Sequence, residues 1–123
     1  MMRNWNFHHL GIPTEKIKEG ESYHPKYKFY STPFGANSYR VQWLRFPKEC
    51  ELPEIFKQVP HLAFRVKSID TEIKDKKVIL GPWEPMEGFR VAIIENEGIP
   101  VEFIETEIDD ETLARLDAES DYA

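Results

Sequence analysis

Two short stretches of this chain each occur twice, in the same order and at similar separations, and that repetition limits the folds open to it. His9-Leu10-Gly11-Ile12 matches His61-Leu62-Ala63-Phe64: a histidine, a leucine, a small residue and a large apolar one. Val41-Gln42-Trp43-Leu44 matches Val101-Glu102-Phe103-Ile104: a valine, a side-chain oxygen donor, an aromatic and an aliphatic. The offsets are 52 and 60 residues, so the chain reads as two copies of one module. At 123 residues both copies fit in a single domain around one core.

The second copy is the clearer. His61 to Lys67 alternates between Leu62, Phe64 and Val66 on one side and His61, Ala63 and Arg65 on the other, as a half-buried strand does. Ser68 is placed to cap a short helix reaching about Lys74, with Asp70 and Glu72 near its positive end. A strand is expected at Lys77 to Leu80, stopped by Gly81-Pro82. Phe89 to Ile94 and Pro100 to Glu105 read as a hairpin across Glu95-Asn96-Glu97-Gly98. The order is βαβββ, which predicts an α+β protein.

The first copy keeps the outer strands, Phe7 to Ile12 and Asn37 to Phe46, around a reduced middle. There Thr14 to Gly20 leaves room for barely two helical turns, and Lys26 to Tyr30 is the expected second strand. The modules then run from about 5 to 46 and from 61 to 106, joined by a linker over 47–60. A last helix is expected over 108–120, capped by Asp109 or Asp110 and docked by Leu113 and Leu116.

Strand alternation assigns sides. His9 shares a face with Phe7 and Gly11, and His8 points the other way, to the surface. Gln42 shares a face with Arg40 and Leu44, while Val41 and Trp43 turn away to pack under a helix. His61 and Glu102 lie opposite Leu62-Phe64-Val66 and Val101-Phe103. His9, Gln42, His61 and Glu102 are thus expected on one concave surface. Polar groups aimed into a cavity cost about 1–3 kcal/mol each unless partnered, and these four can share one divalent metal. Imidazole with oxygen donors suits zinc, nickel, cobalt, manganese or iron, and the lack of thiolates argues against a structural zinc site. Gln42 has a simpler alternative, a hydrogen bond to a neighbouring strand. Arg40, Arg65 and Arg90 are read as cavity-facing, where they would clamp a substrate carboxylate or phosphate, or else as rim charge. His24, beside Pro25, gives no functional signal, and Trp83 is a pocket-wall candidate.

Charge narrows the partners. The net charge of −6 sits almost wholly in the tail, where Glu105 to Asp121 holds eight acids against Arg115 alone. The remaining body is near neutral, which offers no footprint for nucleic acid. No apolar run approaches the ~20 residues that cross a bilayer, and no signal peptide is expected at the N-terminus. A single cysteine, Cys50, fits a reducing compartment, so a cytoplasmic protein with a small-molecule substrate is expected. No nucleophile motif, P-loop or dinucleotide fingerprint is present.

The strings HHLGI, VQWL, PHLAFRVKSID and VEFIE, in this order, resemble the vicinal-oxygen-chelate superfamily, which includes the glyoxalases, bleomycin-resistance proteins and extradiol dioxygenases. The likeness extends over nearly the whole chain and is strongest in the second copy. It implies two βαβββ modules forming one curved, half-barrel mixed sheet, with helices on the outer face. It also implies metal ligation by His9, Gln42, His61 and Glu102, a set similar to that of methylmalonyl-CoA epimerases. A lyase or isomerase with Glu102 as the catalytic base is the leading expectation, and a homodimer is common among such proteins. An iron-dependent ring-cleaving dioxygenase using His9, His61 and Glu102 is the second, and a non-catalytic ligand-binding protein the third.

Overall fold

The computed structural model describes residues 6–35 and 38–119. Eight strands form one mixed sheet in the order β2-β3-β4-β1-β5-β8-β7-β6. At its centre β1 (Asn6–Pro13) and β5 (His61–Arg65) pair antiparallel. Each is flanked by a parallel partner, β4 (Val41–Arg45) beside β1 and β8 (Ile99–Thr106) beside β5. The two registers repeat residue for residue: Leu10 and Gly11 face Val41 and Gln42, as Leu62 and Ala63 face Val101 and Glu102. The duplication legible in the sequence is therefore a duplication of strand pairing, and His9/His61 and Gln42/Glu102 are equivalent positions.

In the second copy α2 (Ile69–Ile73) makes the crossover that a parallel pair requires. Ser68 caps it, accepting from the Thr71 amide at 3.2 Å. Ile69, fully buried, joins Val66, Ala92, Ile94 and Phe103 beneath it on the outer face of the sheet, a burial that contributes about 1.5–3 kcal/mol. β7 (Phe89–Asn96) shows Phe89, Val91 and Ile93 to the inner core and Ala92 and Ile94 to the outer one. β6 (Lys77–Met86) does not stop at Gly81-Pro82 but continues through three register shifts. It is an edge strand, where proline removes no ladder hydrogen bond on the open side.

The first copy departs further from expectation. Residues 14–20 form no helix, and Lys18 of that segment instead places its ammonium 4.2 Å from the centre of the Trp43 ring. Trp43 is therefore covered by a loop cation where a helix was expected. The middle strands are β2 (Ser22–His24) and β3 (Phe29–Ser31), a hairpin shifted from the expected 26–30. β4 begins at Val41 because Arg40 has φ 58°, which ends the extended conformation; the expected start, Asn37, lies outside the described residues. The linker carries α1 (Glu54–Gln58), which turns Phe56 into the inner core. α3 (Asp110–Glu119) is capped by Asp109, whose Oδ1 accepts from the Thr112 amide at 2.7 Å, and docks through Leu113. Its expected end at Ser120 lies outside the described residues.

The largest local correction falls on His8. Between Phe7, opposite Phe64, and His9, opposite Ala63, β1 carries one extra residue. This bulge reverses the alternation, so Phe7 turns to the face of Phe64, its ring 6.5 Å away. His8 is not a surface residue: it is 2% exposed and lines the same cavity as His9. No helix among the described residues is long and apolar enough to cross a membrane.

Candidate metal centre

His9 and His61 come from the two central strands and Glu102 from the strand beside β5. The His61 Nε2 lies 3.4 Å from His9 Nε2 and 3.2 Å from Glu102 Oε1, and His9 Nε2 lies 3.8 Å from the same oxygen. Donors about 2.1 Å from one ion sit about 3.0 Å apart at right angles and about 3.4 Å apart at the tetrahedral angle. Two of the three separations fall in that range and the third, 3.8 Å, is a few tenths of an ångström wider, so the residues fit a divalent metal. Both histidines are almost fully buried, and Glu102 is 13% exposed. Gln42, at the position equivalent to Glu102, lines the same cavity.

The ionisation states suit ligation. Burial pushes the His9 imidazole down to about 3, although the Glu102 carboxylate pulls it upward. Burial by itself would raise the Glu102 carboxyl, but its interactions with the neighbouring imidazoles, foremost the hydrogen bond with His61, outweigh it and hold it below its ordinary value. At neutral pH the pair is a bare imidazole and a carboxylate, the forms that bind metal.

Packing orients His61. Phe56 stacks on its ring with centroids 4.3 Å apart. On β1, Gly11 lies opposite His61 just as Ala63 lies opposite His9, which explains why both copies of the repeat carry a small residue there. A Cβ at Gly11 would stand 2.5 Å from His61 Nδ1 and 2.6 Å from Nε2. Gly11→Ala should therefore displace the imidazole, costing about 1–3 kcal/mol of stability by overpacking and weakening metal binding about 10- to 100-fold. Denaturation and metal titration of the variant measure both; wild-type affinity would mean that Gly11 does not set the ring's position.

The donors open onto a cavity of about 80 Å³, several times the ~10–15 Å³ a water molecule needs. Its walls are mostly apolar, with Tyr27, Phe29 and Trp83 among them, and no lysine or arginine lines it among the described residues. The three arginines lie elsewhere. Arg40 donates through Nε to the His8 carbonyl oxygen and lies over the Phe34 ring. Arg65 donates to the Thr106 carbonyl at 2.8 Å. Arg90 shares the outer face with Ala92 and pairs with Glu105 at 3.5 Å and Asp70 at 3.6 Å. Sequence alternation misplaced Arg90 because β7 is apolar on both faces.

Two cavity groups carried no sequence signal. His8 is one; His24 is the other, buried, with Nε2 2.6 Å from the Ser31 hydroxyl across the β2–β3 hairpin. The alternation of Ser22-Tyr23-His24 and Phe29-Tyr30-Ser31 around a four-residue turn is the pattern that would have paired them.

No protein-family model and no curated protein matches the chain. Among solved structures, methylmalonyl-CoA epimerase from Mycobacterium tuberculosis is similar, with a TM-score of 0.55 at 14% identity over 83% of this chain and 88% of that one. A hypothetical protein from Bacillus halodurans is similar with a TM-score of 0.58 at 19% identity, over 87% of this chain and 98% of that one. The curved eight-stranded sheet and these likenesses give the chain the glyoxalase-like fold of the vicinal-oxygen-chelate proteins.

Proposed function

We propose that this protein is a divalent-metal-dependent isomerase or lyase that moves a proton next to a carbonyl, with the metal held by His9, His61, Glu102 and Gln42. The observation that carries this reading is the convergence of His9 Nε2, His61 Nε2 and Glu102 Oε1 within 4.8 Å of one another in the lining of an apolar cavity. When bound, the ion supplies Lewis-acid charge to two neighbouring substrate oxygens. Glu102 is the only carboxylate among the described cavity-lining residues, so it is the group to take the proton. Gln42, at the equivalent register position, is neutral and completes the donor set through its amide oxygen. The apolar walls exclude water and receive the rest of the substrate, and a lining without lysine or arginine among the described residues favours a substrate uncharged away from its chelating oxygens. The epimerase named above supports the isomerase class through its fold.

Protein purified without an affinity tag or chelator should contain one divalent metal per chain, removed by chelation. The loaded protein should exchange solvent deuterium into a 2-oxoaldehyde–thiol adduct or a 2-substituted acyl thioester. Oxygen uptake with a catechol and no exchange would instead indicate ring cleavage by the three-donor set, and a metal-free protein that retains ligand would indicate a binder.

A further inference from the structure

We propose that His8 is the outer-shell partner of the metal site, fixing His9 in the tautomer that leaves Nε2 bare. This role rests on the metal centre proposed above. The two Nδ1 atoms lie 2.8 Å apart, so one ring carries the proton and the other presents its lone pair. If His8 were the donor, the His9 proton would sit on Nε2, where Glu102 Oε1 is 3.8 Å away and beyond hydrogen-bond reach, and where the nearer His61 Nε2, at 3.4 Å, is already turned to Glu102 at 3.2 Å. That proton would also occupy the space between the three donors. With His9 as the donor, the Nδ1–H is satisfied by His8 and Nε2 offers its lone pair to the cluster. Metal-binding histidines generally anchor their second nitrogen in this way.

The fold goes to some length to put His8 there. The β1 bulge turns it inward beside His9 instead of away from it. Arg40 binds the His8 carbonyl oxygen, and the Phe34 ring lies 4.4 Å from the His8 ring, with its own face towards the Arg40 guanidinium. The second copy has no bulge at the matching point, so the two metal-binding histidines are held differently, His9 by a hydrogen bond and His61 by packing.

The test compares His8→Leu, which fills the space without an acceptor, with His8→Asn, whose Oδ1 can stand near the Nδ1 position. Zinc affinity, measured against a fluorescent chelator, should fall 10- to 100-fold in the leucine variant and return to within a few-fold of wild type in the asparagine variant. The visible spectrum of the cobalt-substituted protein should change with leucine alone. Long-range nitrogen–proton NMR of the metal-free wild type should show His9 protonated at Nδ1, which decides the matter even if the leucine variant fails to fold. Wild-type affinity and an unchanged cobalt spectrum in His8→Leu, or a His9 proton on Nε2, would overturn the proposal while leaving the centre intact. A wild-type protein that takes up no metal would overturn the centre, and this role with it.

Discussion

His61→Ala is expected to reduce affinity for a divalent metal by about 10³-fold or more, well beyond the 10- to 100-fold associated with outer-shell groups. His61 Nε2 is the donor common to the two shorter separations, 3.2 Å to Glu102 and 3.4 Å to His9. Without it the remaining donor pair is the His9 imidazole and the Glu102 carboxylate, 3.8 Å apart, with only a neutral amide to complete the set. The loss cannot be assigned to unfolding if strand content is retained, because His61 lies at the inner face and the outer core under α2 does not involve it. Arg90→Ala is the control: its guanidinium pairs with Asp70 and Glu105 on the other face, so metal affinity should hold. Isothermal titration of both variants with zinc measures the difference, and equal losses would remove the three-donor centre.

What the sequence made legible is what its repeat encodes. Leu10/Val41 and Leu62/Val101 sit in identical parallel registers, so placing one copy's histidine and oxygen donor placed the other's. Alternation was informative wherever one face was apolar and the other was not, as on β5. It failed on β7, where Val91 and Ile93 face one core and Ala92 and Ile94 the other, leaving no polarity to tell Arg90's side. It failed on β1 because a bulge is a backbone event: the doubled histidine reads the same with or without it, yet only the bulge brings both rings to the cavity. The short β2 and α1 were missed for a further reason. A three-residue strand and a five-residue helix carry too little periodicity to count, and tertiary contacts such as His24 to Ser31 and Phe56 to His61 hold them.

Glu102→Gln separates the two roles assigned to this side chain. The amide keeps an oxygen donor of nearly the same size, so metal content should fall only modestly. It cannot accept the substrate proton, so solvent-deuterium exchange into an activated substrate should fall by about 10²-fold or more. The carboxylate's depressed pKa bears on this expectation: held below its ordinary value by His61 and His9 against the effect of burial, it is ionised and able to accept a proton at neutral pH. Its repeat partner gives the complementary experiment. Gln42 already has the amide, so Gln42→Glu places a second carboxylate at the equivalent register position and should leave metal content at one ion per chain. If Glu102→Gln exchanges deuterium at the wild-type rate, this carboxylate is not the base. No other acid lines the cavity among the described residues, so proton transfer would then fall to one of its histidines.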